Sequence, residues 1–587
     1  MRKKHRLIIM GAGIVGQLMA MYVRKRLPEI EVTIVGHPDK KRPIVGESTV
    51  EVTAHFLEGL GLGALLEEKH YHKYGLTYYF KLSPDPACRR YVIHEAPGVL
   101  RMPAYNLNRT TFDTDIRAIN RSLGVGAVEA MVTDADLGME GRVHRLRLRH
   151  PDGREEEMEA DWVVDATGRS RFLARKLELA KQPPYQRSCF WFRLRGFDRT
   201  RLQDIQATRV EHHCYDPYYV THHFYARGYW VWLIPMRAPD GNDLISIGIT
   251  HRPEILGSTV TTLDQFLEVI RKDHPVIAEL VETGSIVDEN ALRDYMYEAT
   301  QYYSKDGWFL IGDAAFTFDP ANSAGLAYIA HQVPQIAAMI RKDMDGRLTD
   351  RYIDCLERHL NAQLTLQDTW SKWYDVMHEP LKMAWTLLVA NMAYFHVVLP
   401  NYVNGAFLDG HQALQFAELL PRVPPDRQPP SYPFPCLLDA ITEQYARVPE
   451  TCLPNLYHRT VNWGIYRADE QARPRFAARY FWMLAVLRLR LLGMVHWRPT
   501  VRHARLLGRH LRGALSDASK ALVLRVRPRS FYRHGDSPPD LVSPFPGGTF
   551  LGCRPHAAAA TPPLADMNGN RDGSRELQPA PALAAAP

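Results

Sequence analysis

The chain has no Cys-x-x-Cys pair, no internal repeat, and no unbroken apolar run of the ~20 residues a membrane-spanning helix needs. Its seven cysteines (Cys88, Cys189, Cys214, Cys355, Cys436, Cys452, Cys553) are odd in number and scattered. That excludes a disulfide scaffold or zinc ribbon and points to a reducing, cytoplasmic setting. The apolar stretch Ala384–Pro400 is interrupted by Asn391 and His396 and reads as a buried helix. Leu7–Val23 follows a basic start, but Gly11, Gly13 and Gly16 break it. No small-residue cleavage site follows, so a strand entering a helix explains these letters better than a secretory leader does. Charge of one sign is also scarce: the net is +7 over 587 residues, with 23% charged and 46% apolar. This is a globular composition, with room for several domains at about 150 residues each.

The pattern along the chain is that of an α/β protein. Leu7–Met10 is a short apolar strand, GAGIVG (Gly11 to Gly16) opens a helix to about Lys25, and Glu31–Val35 is the next strand. In such a β-α-β unit the glycines permit a tight turn and close approach of a pyrophosphate to the helix N-terminus. The acid expected after the second strand is missing, since Gly36 and His37 stand there, so a ribose contact must come from elsewhere. Helices are expected over about 50–60 and 110–122, strands at 76–81 and 90–94, and a hairpin (Val143–Arg149, Glu157–Val164) around Asp152-Gly153 that ends in DATG (Asp165 to Gly168). Residues 188–251 are strand-rich and predict a mainly antiparallel layer inserted between the Rossmann segments. The chain returns with WFLIGDAA, a buried strand meeting a helix that starts near Ser323.

This gives a domain over 1–345, a helical region over 346–535 that is basic from about 473, and a tail over 536–587. The tail is rich in Pro, Ala and Gly and is expected to be disordered. Between Arg473 and Arg533 roughly fifteen Lys/Arg face one acid, Asp517, interleaved with Phe481, Trp482, Leu487, Leu491 and Trp497 at helical spacing. A solvated helix pair, peripheral contact with a membrane, and an acidic carrier protein all fit that pattern. Nucleic acid is disfavoured: the charge is localised and no reader motif occurs.

Three separated segments converge on a flavin site. Gly11, Ala12, Gly13 and Gly16 would hold the pyrophosphate, and Gly312-Asp313 places a carboxylate at a strand's C-terminal end for ribityl hydroxyls. Arg109 can donate to the cofactor or pair with Asp113 on its own helix; Asp313 can also merely cap a turn. The order of these segments resembles the FAD-binding fold of aromatic hydroxylases and geranylgeranyl reductases. GES (Gly46, Glu47, Ser48) and above all YWVWLIP narrow the resemblance. Trp230, Trp232, Ile234 and Pro235 complete W-x-W-x-I-P, and the chain resembles the flavin-dependent halogenases, in particular the branch acting on phenols and pyrroles.

The resemblance implies that reduced FAD, delivered by a separate flavin reductase, yields hypohalous acid from O2 and chloride or bromide. A lysine then passes the halogen to a small electron-rich aromatic, free or tethered to an acyl carrier protein. The catalytic lysine falls on Lys73, in K-x-G-x-x-aromatic with Gly75 and Tyr78; Lys81 is the second choice. The two tryptophans separate flavin from substrate, and the amides of Ala324 and Gly325 in FDPANSAGL offer the halide site at a helix start. Asn322 stands where the indole-halogenating branch carries a glutamate, which disfavours indole. Trp370, Trp373, Tyr374, Trp385, Tyr394 and Phe395 are candidate pocket walls. No metal site is expected: His212, His213, Cys214, His222 and His223 cluster in sequence, but strand neighbours point to opposite faces. An FAD aromatic hydroxylase, or an inactive flavoprotein bound to a carrier or membrane, are the alternative readings.

Overall fold

The computed structural model describes residues 5–37, 44–81, 91–95, 104–138, 143–183, 185–206, 216–368, 373–419, 435–444, 472–495 and 497–526. The 208–215 stretch with His212, His213 and Cys214, the wall candidate Trp370, and the 536–587 tail lie outside them.

Strand β1 (His5–Met10) enters helix α1 (Ile14–Arg26), and β2 (Ile30–Val35) returns in parallel. There follow α2 (Glu51–Gly59), β3 (Leu76–Lys81), β4 (Tyr91–Glu95), α3 (Arg109–Ser122) and β5 (Gly126–Val128). Next come β6 (His144–Arg149), β7 (Glu155–Ala160), β8 (Trp162–Asp165), β9 (Ser188–Arg195), β10 (Thr221–Ala226) and β11 (Tyr229–Arg237). The sheets are completed by β12 (Asp243–His251), β13 (Ser285–Leu292) and β14 (Trp308–Leu310). The helices beyond include α4 (Gly325–Met344), α5 (Asp350–Asp368), α6 (Pro380–Ala393), α7 (Ala472–Met494) and α8 (Val501–Val526).

One sheet is parallel, in the order β14-β8-β1-β2-β5. Its central strand reads Leu7–Met10 without a polar residue because it is buried in a core that takes in α1 and, from the β6–β7 hairpin, Leu146, Leu148 and Ala160. The expected hairpin forms from β6 and β7, but the chain leaves it at Ala160, and Trp162–Asp165 joins the parallel sheet instead.

The second sheet has seven strands, in the order β13-β9-β12-β11-β10-β3-β4. It is wider than the expected 188–251 insert. Strands β3, β4 and β13 come from outside that range, and β3 pairs with β10 in parallel. Local periodicity marks each strand but carries no information on such distant partners. Both faces are buried. Trp230, Trp232 and Ile234 project with Tyr78 and Phe80 to one side, and Tyr229, Val231 and Leu233 with Tyr79 and Phe224 to the other.

The expected buried helix is longer than its sequence reading: Pro380–Val403 is helical over 24 residues and apolar enough to cross a bilayer, yet 78% of its apolar window is buried in the protein. It packs in two directions. Met383 and Leu387 join the tryptophan side of the seven-stranded sheet, whereas Trp385, Leu388 and Met392 meet Tyr480, Phe481 and Leu484 of α7.

Candidate active site

The glycine turn is built for close approach. Gly11 has φ +116, and a Cβ there would lie 2.2 Å from the Ala166 carbonyl oxygen of DATG; at Gly16 a Cβ would lie 2.1 Å from the Gly11 oxygen. Gly13, the N-cap of α1, faces open space, and no side chain caps the helix. The first amides of α1 are therefore available to a pyrophosphate, beside the half-buried Ala12. The missing acid has a steric reason: a Cβ at Gly36 would sit 2.9 Å from the Ala12 nitrogen. Glu129, just past β5, reaches His37 Nδ1 at 3.5 Å and brings a carboxylate to this edge.

Asp313 follows Gly312, whose φ is +61, and its side chain stays open to solvent although protein surrounds it closely. That surrounding mass raises its carboxyl pKa, against Arg169, Arg171 and Arg109. No side-chain hydrogen bond within the protein occupies it among the described residues, so it is free for ribityl hydroxyls rather than serving as a turn cap. Arg109 makes the pairing with Asp113 on its own helix. It is buried, pairs with Asp113 through Nε and Nη2 at 2.8 and 3.0 Å, and donates through Nη1 to the Val45 and Gly46 carbonyls at 3.1 and 3.3 Å. Its Nη1 bonds hold the GES loop. In that loop Gly46 (φ +103) makes room for the guanidinium, and a Cβ there would sit 3.0 Å from Nη1. Glu47 is buried; one carboxylate oxygen accepts from the Gly46 amide at 2.9 Å and the other has no hydrogen-bond partner among the described residues. Burial pushes the Glu47 carboxyl up, countered partly by Arg109 and Arg193.

Lys73 is the centre of the site. Its amide donates to the Ala104 carbonyl at 2.7 Å, and Gly75, at φ +133, turns the chain into β3, where its oxygen accepts from the Thr221 amide. The side chain is 2% exposed, with Nζ donating to the Thr49 carbonyl at 2.6 Å and to Ser48 Oγ at 2.9 Å. Ser48 Oγ in turn meets Thr221 Oγ1 at 2.7 Å and accepts from Ser323 Oγ at 2.9 Å. One serine thus ties the lysine to the GES loop, the seven-stranded sheet and FDPANSAGL. Burial lowers the Lys73 pKa to about 7, more than the Glu51 charge raises it. Lys81 does not take this place. It has the parity of Tyr79, whose ring lies on the face away from the tryptophans.

Ser323 has φ +55, a strained value for a residue with a Cβ, and spends its hydroxyl on Ser48 rather than capping α4. Ala324, the N-cap, supplies no side-chain bond, and Gly325 is exposed with nothing within 4 Å of a would-be Cβ. The helix start is therefore open at Gly325, and no side chain caps it. Asn322 Oδ1 accepts from Tyr78 Oη at 3.2 Å. The Lys73 ammonium has no carboxylate among its hydrogen-bond acceptors.

The Trp230 and Trp232 rings lie 5.7 Å apart, and His223, held neutral by burial with a pKa near 3, stacks on Trp230 at 5.2 Å. Trp230 Nε1 donates to Tyr374 Oη at 3.1 Å, and Tyr374 donates to Asp319 Oδ2 at 2.6 Å. Asp319 is paired with Arg187 at 3.0 Å in full burial. Trp232 donates to Ser246 at 3.3 Å and lies over Gly248, where a Cβ would meet the indole at 2.1 Å. Ile234 and Pro235 continue the strand, opposite Ser246 and Ile245. Among the wall candidates, Trp373 and Tyr374 join this cluster; Trp385 turns toward α7, and Tyr394 and Phe395 pack on the side of the parallel sheet, Tyr394 accepting from the Val52 amide at 3.3 Å. His222 bonds Tyr79 on the opposite face from His223, and among the described residues no cluster of metal ligands exists.

The tryptophan halogenase family model matches residues 6–91 and 96–366. A flavin-dependent halogenase, chlA, of Dictyostelium discoideum is 24% identical over 445 residues, covering 68% of this chain and 70% of that protein. A 1H-pyrrole-2-carbonyl-[peptidyl-carrier protein] chlorinase of Pseudomonas fluorescens is 25% identical over 338 residues, covering 54% and 72%. Of the solved structures, halogenase PltM superposes with a TM-score of 0.57 at 20% identity, covering 86% of this chain and 99% of that one.

Proposed function

The chain belongs to the tryptophan halogenase family and carries out FAD-dependent halogenation of an aromatic ring; from that premise we propose that the ring is a phenol or pyrrole, activated by its own hydroxyl or N–H, and that Lys73 delivers the halogen. The observation that carries this reading is the buried Lys73, lowered to about 7, bonded to Ser48 and through it to Ser323, with no carboxylate among its hydrogen-bond acceptors. Asn322, bonded to Tyr78, is no base, so a weakly activated ring would lack the glutamate that the indole-halogenating branch carries at that position. A ring that stabilises its own positive charge has less need of one.

Bound reduced FAD supplies, with O2 and halide, the hypohalous acid. The chain's own residues do the rest. The α1 amides and Asp313 would hold the cofactor at its pyrophosphate and ribityl ends, and Arg109 fixes the GES loop between them. The amides of Ala324 and Gly325 hold halide, one serine away from Lys73. At neutral pH Lys73 exists in both protonation states. As ammonium it donates a hydrogen bond to the acid's oxygen. As amine it can take the halogen while hydroxide leaves, then pass it to a ring carbon that gives up its proton. The tryptophans keep the ring from the flavin, so the oxidant meets halide first.

The one GxGxxG fingerprint in the sequence supports a separate flavin reductase as the source of reduced FAD. Carrier tethering is supported by two relatives named for pyrrole-2-carbonyl carrier substrates, a brominase and a chlorinase. The test is incubation with FAD, flavin reductase, NADH, O2 and chloride or bromide over phenols and pyrroles, free and carrier-bound, read by mass. A halogen isotope pattern on these rings is the expected result; oxygen insertion, or halogenation of indole alone, overturns the reading.

A further inference from the structure

Of the fifteen large apolar side chains exposed among the described residues, eleven lie between Trp482 and Val526, on the hairpin of α7 and α8. On α8, Leu507, Leu511, Leu515, Leu522 and Val526 recur at helical spacing and form one stripe, with Leu515 71% and Leu522 62% exposed. The stripe runs about 28 Å along the helix. It is not the face that packs on α7, which carries Leu506, Ala514, Ala521 and Leu524. On α7, Trp482, Val486 and Leu489 are likewise exposed, and Trp497 in the connection is 39% exposed.

Charge completes the pattern. Residues 472–526 hold twelve Lys or Arg and a single acid, Asp517, which is buried and paired with Arg488 at 2.8 Å. By helical angle, the exposed Arg505 and Arg512 flank the stripe on one side and Arg525 on the other. An apolar band edged by arginines, with indoles at its border, matches the plane where acyl chains meet anionic headgroups.

We propose that the outer face of the α7–α8 hairpin is a docking surface for an anionic lipid bilayer. A straight stripe along the length of a helix complements a planar boundary better than the compact acidic face of a carrier protein. The consequence for the enzyme is positional: α6 lies between this hairpin and the tryptophan cluster, so docking would set the substrate side of the sheet near the lipid. The proposal does not rest on the reaction, and its test reads no product.

The full chain is floated with vesicles of phosphatidylcholine alone, or with phosphatidylserine added, at low and at physiological salt. Binding to the anionic vesicles only, weakened by salt, is expected. Arg505→Gln/Arg512→Gln/Arg525→Gln should lower the partition coefficient on the order of a hundredfold, at about fivefold per arginine. Leu515→Ser/Leu522→Ser should lower it at least about tenfold, since each leucine otherwise buries its side chain in the acyl region. Arg145→Gln/Arg147→Gln/Arg149→Gln removes as much charge from the β6–β7 hairpin and should leave binding intact. No flotation with anionic vesicles overturns the proposal, as does equal loss in the control triple variant. Unchanged binding in the leucine variant, melting like the parent, also overturns it. So does saturable binding to an acidic acyl carrier protein in place of vesicles.

Discussion

Tyr374 and Trp230 are joined by a hydrogen bond from the indole to the phenol oxygen, 3.1 Å long, and the same phenol reaches the Asp319 carboxylate at 2.6 Å. A tryptophan of the W-x-W-x-I-P strand is thereby tied, through Tyr374, to the FDPANSAGL loop. Arg187, fully buried with Asp319, fixes the far end of the chain.

Replacing Tyr374 by Phe removes both bonds and leaves the indole N–H buried without its acceptor. Stability should fall by about 1–3 kcal/mol. The Asp319–Arg187 pair persists, so the fold should survive. Flavin affinity should be unchanged, while product formed per NADH consumed falls several-fold, because a loosened Trp230 no longer holds the partition. Titration of FAD and a product-to-NADH ratio separate that from general unfolding; an unchanged ratio refutes the positioning role.

A methyl group at Gly248 is the sharper probe of Trp232. The Gly248→Ala Cβ would enter the indole at 2.1 Å, in a strand with no slack on either face. Overpacking of this kind costs about 1–3 kcal/mol, and the ring must swing from Ser246. The expected signs are a lower Tm, altered indole fluorescence, and loss of halogenation beyond what the Tm explains.

The cofactor end of the site was readable because its chemistry is local. A glycine turn, DATG and Gly312-Asp313 each declare a backbone constraint within a few residues, and Gly11, Gly16 and Gly312 sit where a Cβ would collide or crowd. Arg109 was legible as a helix-start residue, and its partner Asp113 at i+4 was the alternative that the fold adopts. What escaped the sequence is built from pairings across long separations. Arg187 and Asp319, Trp230 and Tyr374, and Ser48 with Ser323 are each more than a hundred residues apart. No periodicity connects them. Gly248 gave no sign either, since a glycine in a strand declares its purpose only once the facing residue in the register is known. The parity that sets Lys81 apart from Tyr78 was visible, but which face held the tryptophans was not.

Burial of Lys73 has a signature in stability. Moving its pKa from 10.5 to about 7 costs the native state on the order of 5 kcal/mol while the lysine is protonated. Between those values the unfolded chain binds the extra proton, so this penalty is full below pH 7 and is relieved as pH rises toward 10.5. Lys73→Met, similar in length and uncharged, should therefore be more stable than the parent at pH 6.5, with the difference shrinking at pH 9. Halogenation should vanish in the variant while flavin oxidation continues. Melting curves at the two pH values and a mass assay check both halves; a pH-independent difference removes the depressed lysine.

Gly325 offers the cleanest test of the halide site. A Cβ there meets no protein atom within 4 Å, and the position is the first residue of α4, so Gly325→Ala should fold as well as the parent or gain up to about 1 kcal/mol. Any functional effect must then come from what the methyl excludes from the open space before the helix. If halide is held there by the Ala324 and Gly325 amides, its KM should rise several-fold, more for bromide than for the smaller chloride, with the KM for the aromatic and the affinity for FAD unmoved. Steady-state titration of each halide at saturating reduced flavin decides it. An unchanged halide KM in a folded Gly325→Ala enzyme would place the anion elsewhere, because nothing else at that helix start stands in the methyl's way.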